Sequence, residues 1–167
     1  MGTVTLREAT TADIELLAHW QIQPHVVAAT GDPEQWDWAE ELGRDPAFTW
    51  HLVGEEDGRP IGYVQVIDPL NEETHYWGDV EPHLRALDIW LGDPKDFGRG
   101  LGTQVMGLAL DRCFEDADVT AVIIDPLATN TRSHRFYERL GFDVVGPRVL
   151  DGDECLIYRL DRERWQS

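Results

Sequence analysis

Three glycines at alternating positions, Gly98, Gly100 and Gly102, punctuate the stretch Phe97-Gly-Arg-Gly-Leu-Gly-Thr103. Lacking Cβ atoms, they let the backbone bend tightly and bring its amides close to a ligand. Behind them Leu101, Val105, Leu108, Ala109 and Arg112 recur at helical spacing. The amides therefore stand at a helix N-terminus, where partial positive charge favours phosphate. The chemistry implied is the binding of a pyrophosphate, and a plain helix-capping turn is the other reading these residues leave open. Two other phosphate loops do not fit. A P-loop needs Lys-Ser/Thr after its last glycine, whereas Thr103-Gln104 follows Gly102. The dinucleotide fingerprint G-x-G-x-x-G opens a chain's first βαβ unit and spaces its third glycine more widely than Gly102 is spaced here.

A second stretch removes the ambiguity: Asp125-Pro-Leu-Ala-Thr-Asn-Thr-Arg-Ser-His-Arg-Phe-Tyr-Glu-Arg-Leu-Gly-Phe142. Together the two resemble the GCN5-related N-acetyltransferase (GNAT) family. Its pattern is a strand, an R/Q-x-x-G-x-G/A loop for the coenzyme A pyrophosphate, then N-x-x-(S/A)-x-x-(F/L)-Y-E-x-x-G-F. Asn130, Ser133, Phe136, Tyr137, Glu138, Gly141 and Phe142 match the second half at every position. Phe97 departs from the first half, standing where Arg or Gln is usual; one side-chain contact is lost and the amides remain. Within the family, Ala86-Leu-Asp-Ile-Trp-Leu91, the glycine loop, Asp125-Pro126 with Asn130 beyond it, and Gly62-Tyr-Val-Gln65 are most similar to the aminoglycoside 6′-N-acetyltransferases. The resemblance spans roughly the C-terminal two-thirds of the chain.

The resemblance implies an α/β (α+β) GNAT fold, a mixed and mostly antiparallel sheet of about six to seven strands flanked by helices. Its strands at Leu84–Leu91 and Ala121–Asp125 would splay, with the pantetheine arm of acetyl-coenzyme A in the gap. The cofactor would be held by Phe97, Gly98, Arg99, Gly100, Leu101, Gly102, Thr103, Asn130, Ser133 and Phe136. Amides near Trp90 and Leu91 would hold the thioester carbonyl and the oxyanion formed on attack. An alkyl ammonium, with a pKa of about 10 in lysine, must lose a proton before it can attack. Asp88 is the implied base, and Asp125 would bind and orient the acceptor. Gln65 matches an acceptor-contacting position, and Trp77 and Asp79 lie in a loop able to carry side chains toward a cation. Tyr137 would face the departing sulfur and protonate or stabilise the thiolate. Transfer would be direct, since no Cys-His pair suggests an acyl-enzyme. Other readings stay open: a core tyrosine for Tyr137, an Asx turn for Asp125, an outer-face position for Trp90. Asn130 serves equally as the N-cap of its helix. Other acceptors are a siderophore hydroxylamine, a polyamine or a protein N-terminus, and a non-catalytic acyl-coenzyme A sensor is the reading from another class.

The elements that must position these residues follow from periodicity and punctuation. Val4-Thr-Leu-Arg-Glu8 alternates as a strand, and Thr10-Thr-Ala-Asp13 opens a helix bearing Ile14, Leu17 and Ala18 on one face. Trp20 to Thr30 reads as a loop, and Asp32-Pro33 caps a short helix carrying Trp36 and Trp38. Those tryptophans either stack on sugar rings or pack in the core. Phe48 to Glu55 and Pro60 to Asp68 form a hairpin across Asp57-Gly58. Asn71 to Pro82 is a long acidic and aromatic loop, functional or simply solvated. Leu84 to Leu91 is the strand feeding the glycine loop. Gly141-Phe142 ends the helix after Asn130 as a glycine C′ with its apolar contact. Phe142 to Leu150 and Glu154 to Leu160 make a second hairpin across Asp151-Gly152, before a polar end.

With 167 residues, 42% of them hydrophobic, the expectation is a single domain, 1–167, with a proper core. Thirty-two acidic against 14 basic residues give a formal net charge of −18, which argues against nucleic acid as a partner. A field of that sign concentrates cations such as an aminosugar or polyamine. An acidic chain whose sole lysine is Lys95 equally fits a salt-adapted source. The opening Met-Gly-Thr-Val-Thr-Leu-Arg-Glu8 has neither the basic nor the apolar region of a secretion signal, and no run has the length of a membrane span. A cytoplasmic protein, monomeric or weakly dimeric, is expected. Six histidines and two cysteines fall into no metal-ligand spacing, so no metal is implied.

Overall fold

The first strand, β1 (Val4–Glu8), ends where Thr10 and Asp13 form a reciprocal capping box, starting a 3-10 turn that runs into α1 (Ile14–Gln21). The computed structural model describes residues 2–30, 36–44 and 48–166. The stretch read as a loop after Trp20 is helical instead. α1 continues to Gln21, and α2 (Pro24–Thr30) opens with a proline whose fixed φ suits a first helical turn. Burial of Val26 on the inner side of α2 outweighs the weak propensity of its β-branched residues. α3 (Trp38–Leu42) is capped by Asp37, which accepts from the Glu40 amide at 3.1 Å; the helix start expected at Asp32-Pro33 lies outside the described residues.

β2 (Thr49–Glu56) and β3 (Arg59–Ile67) join through Asp57-Gly58, with φ of 50° and 80°, the type I′ geometry whose twist matches paired strands. Then come β4 (Leu84–Leu91), α4 (Leu101–Glu115), β5 (Ala121–Ile124) and α5 (Thr131–Arg139). β6 (Asp143–Leu150) and β7 (Asp153–Asp161) turn at Asp151-Gly152, again I′ with φ of 48° and 82°, and α6 (Arg162–Gln166) follows. The seven strands form one sheet in the order β1-β2-β3-β4-β5-β7-β6, antiparallel except between β4 and β5. Among the described residues no helix is long and apolar enough to cross a membrane.

Alternation along β4 distributes the core. Leu87, Ile89 and Leu91 join the cluster under α4 with Leu101, Val105 and Leu110. Leu84 and Ala86 face the other way into a cluster with Trp77, and Trp90 into one with Trp20, Trp38 and Tyr63. Asp88, in the same alternation, falls between those two apolar clusters.

The parallel pairing of β4 with β5 stops early, at Ala86↔Ile123. Beyond it β4 stays with β3 as far as Leu91↔Gly62, while the chain after β5 stays with β7 through Leu127↔Cys155 and the Leu156 amide on Pro126 O. The two strands thus part at the point where Asp88 and Asp125 leave them, as expected of the splay.

Candidate active site

Two cavities flank this opening, one of about 630 Å³ and one of about 810 Å³. Ala29, Ile89, Trp90, Asn130, Ser133 and Tyr137 line both, so the cavities meet between β4 and α5.

The first cavity runs along the glycine loop. Gly98 and Gly100 have φ of 73° and 75°, a left-handed backbone that favours glycine, and a Cβ on either would point into open space. Gly100 is the N-cap of α4 and supplies no side chain to the helix's first amides. Of the residues expected here, Trp90, Leu91, Phe97, Gly98, Gly100, Leu101, Gly102, Thr103, Asn130, Ser133 and Phe136 line the cavity. Arg99 does not: its guanidinium turns to Glu56 at 2.8 Å and Asp96 at 3.1 Å. The cations that do reach the cavity are Arg132 and Arg139 on α5. Their sequence signal was weak, because arginines on a polar helix face usually mean solvent. Arg132 lies over the Phe97 ring at 4.8 Å, and His25 of α2 meets the same ring edge-on at 5.1 Å. His25 Nε2 also donates to Leu91 O at 2.7 Å, the carbonyl accepting, which ties α2 to the end of β4.

Asn130 caps α5, its side-chain oxygen accepting from the Ser133 amide at 3.2 Å. Gly141, at φ 101°, turns the chain out of the helix, and the Phe142 amide reaches Tyr137 O at 3.1 Å. Tyr137 is buried in the α4 cluster yet borders both cavities, because the strands have parted beside it. Burial, with Asp88 and Asp125 near, raises its pKa, so the phenol is protonated at neutral pH and carries an O–H toward the opening.

The second cavity is acidic. Among the described residues, Glu40, Glu41, Glu72, Glu73, Asp88, Asp125, Asp151 and Asp153 line it, against Arg44 as the one cation. His51, Gln65 and Asp88 lie side by side across β2, β3 and β4. Gln65 lines the cavity but is 3% exposed, and its amide donates to Glu41 at 3.3 Å. Solvent reaches the Asp88 carboxyl through the cavity while protein surrounds it on the remaining sides; burial raises its pKa to about 6. Asp125 is raised to about 8, by burial first and then by the charge of Asp88. The Tyr76 hydroxyl donates to Asp125 at 3.2 Å; the Trp77 indole N–H lies toward the same carboxyl outside hydrogen-bonding geometry, a buried donor without a partner. The two carboxyls titrate as a pair, the first proton leaving more readily than the second.

The loop 71–82 forms turns; most of it is exposed, and it is pinned at Glu72 and Trp77, the two residues it buries. Glu72, 4% exposed, accepts from the Thr74 hydroxyl at 2.7 Å, the Thr74 and Tyr76 amides, and Arg44 at 3.1 Å. Burial pushes its pKa up, and these donors together bring it below the ordinary value. Trp77 lines the cavity as expected, whereas Asp79 is exposed outside it, carried away by the Gly78 turn at φ 64°. Glu72 and Glu73 are the loop carboxylates that face inward. Trp90 packs against Tyr63 with ring centroids 4.6 Å apart, so it is an inner wall residue and not an outer-face one. Trp36 lines the acidic cavity, while Trp38 and Trp20 are core. Burial raises the Cys113 and Cys155 thiols to about 12 and about 11, which keeps both from being nucleophiles at neutral pH.

A family model described as an acetyltransferase (GNAT) domain matches residues 9–150. An aminoglycoside N(6′)-acetyltransferase type 1 from Klebsiella pneumoniae is 29% identical over 153 residues, 86% of this chain and 76% of the relative. A lysine N-acyltransferase MbtK from Mycolicibacterium paratuberculosis is 25% identical over 162 residues, 93% of this chain and 72% of the relative. A crystal structure of aminoglycoside acetyltransferase AAC(6′)-Ib with coenzyme A and kanamycin aligns with a TM-score of 0.88 at 27% identity, covering 98% of each chain.

Proposed function

The chain belongs to the acetyltransferase (GNAT) domain family, and on that footing we propose that it is an acetyl-coenzyme A-dependent N-acetyltransferase acting on the 6′-amine of aminoglycosides in the cytoplasm. The observation that carries this reading is the meeting of an anion-receiving cavity and a strongly acidic one at Tyr137, within reach of Asp88. The relative that binds coenzyme A and kanamycin together supports it.

The residues of the first cavity fit coenzyme A. The left-handed glycines leave the loop amides open, no side chain caps α4, and Arg132 and Arg139 add positive charge for phosphates. Ile89, Leu91 and Phe136 supply an apolar wall for the pantetheine arm. When bound, the cofactor supplies an acetyl thioester to the point where the cavities join. The eight carboxylates of the second cavity hold the ammonium groups of a polycationic acceptor. Asp125 orients the acceptor. Asp88 takes the proton from the amine, directly or through one water; its raised pKa brings it nearer to the amine's and makes it a better base than an ordinary aspartate while leaving it ionised near neutrality. Tyr137 gives its proton to the departing sulfur.

Thiol release from acetyl-coenzyme A, with an aminoglycoside, a polyamine, hydroxylysine and a peptide as separate acceptors, tests the reading. Turnover confined to aminoglycosides bearing a 6′-amine supports it; turnover only with another acceptor contradicts it.

A further inference from the structure

The tip of the glycine loop is exposed at Gly98, Arg99 and Gly100. Gly98 and Gly100 meet nothing within 4 Å where a Cβ would stand, and both hold the left-handed backbone that glycine adopts freely, so the tip's shape must be fixed by its neighbours. On the cavity side Phe97 is held by His25 and Arg132. Beside it stand four charges. Arg59 reaches Asp96 at 2.9 Å and Glu56 at 3.2 Å; Arg99 reaches Asp96 at 3.1 Å and Glu56 at 2.8 Å. Each arginine bridges both carboxylates, so the ring closes. It joins the turn end of the β2–β3 hairpin, Glu56 and Arg59, to Asp96, just before the glycine loop, and Arg99, between its first two glycines.

Burial makes the ring more than surface decoration. Asp96 is 1% exposed and Glu56 8%, and the arginines hold the Asp96 carboxyl below the ordinary range. Taking one arginine away leaves two buried carboxylates to share the other, so the pairing is weakened on both sides of the ring at once. Asp96 is also the one ring member that lines the first cavity, where a bare carboxylate would repel a phosphate.

We infer that the Glu56–Arg59–Asp96–Arg99 ring is a positioning device for the glycine loop, and through it a determinant of coenzyme A affinity. This rests on the reading of that loop as the coenzyme A cradle. The ring residues touch no reacting atom; they fix the loop from outside, so Arg99, the loop residue absent from the cavity wall, acts at one remove.

The test is the affinity of the full chain for coenzyme A alone, by titration calorimetry, for the parent, Arg99→Gln, Arg99→Lys and Asp96→Asn, followed by steady-state kinetics. Arg99→Gln and Asp96→Asn each raise Kd about tenfold, Arg99→Lys less, and KM for acetyl-coenzyme A follows while kcat and acceptor KM stay within about twofold. The sign of Asp96→Asn separates a clamp from simple charge, because removing a carboxylate from an anion site should tighten binding if charge alone mattered. If Asp96→Asn does not fold, Arg99→Gln carries the test, its side chain being 42% exposed. Parent binding with an unchanged Kd in Arg99→Gln, or tighter binding in Asp96→Asn, overturns the ring's role. Failure of the parent to bind coenzyme A overturns the functional reading itself.

Discussion

Asp88 owes its chemistry to alternation. It is the polar position on a strand face otherwise given to Leu84, Ala86 and Trp90, so it sits in a gap between two apolar clusters with a cavity above it. As a general base it should be worth about a hundredfold to ten-thousandfold, so Asp88→Asn lowers kcat by that order with coenzyme A binding retained. Tyr137→Phe should lower kcat and leave acceptor KM unchanged, read in the same assay. Protonation links the site to stability with a definite sign. Folding raises the pKa of Asp88 and Asp125, so the folded chain holds protons that the unfolded chain releases. Their contribution to the folded state is fully present below the ordinary aspartate value of 3.8 and is lost as pH rises from there, to about 6 for Asp88 and to about 8 for Asp125. Activity runs the other way, since the base must be ionised. Thermal melts of the parent minus those of an Asp88→Asn, Asp125→Asn variant should show the parent losing relative stability across that window; a flat difference would contradict the pair. Family positions single out Asp88, Asp125 and Tyr137 in the sequence, and the structure brings the three to the lining of one cavity. Glu41 and Arg44 are not singled out by the sequence, because a charged residue on or just after a short helix reads as solvated until its ion pairs are seen.

The splay of β4 from β5 is the element-scale feature that makes a site at all. β4 remains bound to β3 past the parting, and there Gly62 permits an approach so close that a Cβ would lie 2.7 Å from Trp90 O. Gly62→Ala should therefore push β4 outward, destabilise by about 1–3 kcal/mol and reduce activity, measurable by urea melts and thiol release. The cap of α5 is separable from catalysis in size: Asn130→Ala should cost about 1 kcal/mol of stability through the lost bond to the Ser133 amide. Both hairpins were readable, since Asp-Gly supplies the two positive φ values that a I′ turn requires. α2 was not readable. Its seven residues include a proline, a histidine and two valines, and it is held by packing that the sequence does not announce, Val26 buried in the cluster of Leu17, Trp20 and Trp90.

At the scale of the molecule the question is what a net charge of −18 is for. The charge is unevenly divided: among the described residues one cavity is lined by eight carboxylates against one arginine, while the neighbouring cavity is lined by Arg132 and Arg139 against Asp96. Steering of a polycation should then weaken with salt, so kcat/KM for an aminoglycoside should fall several-fold between about 0.05 M and about 0.5 M KCl. Salt adaptation predicts a flat or rising dependence. Composition gave the sign of the charge but not its partition, because that partition depends on which residues the splay gathers around one opening. The central claim is that a 6′-amine is what Asp88 deprotonates at this opening. It is tested most directly by thiol release with kanamycin beside an aminoglycoside carrying a hydroxyl at the 6′ position, with the acetylated nitrogen assigned by NMR. Rapid turnover of kanamycin, acetyl on its 6′-nitrogen and no turnover of the hydroxyl counterpart are predicted; equal turnover of both, or an acetyl on another amine, would contradict it.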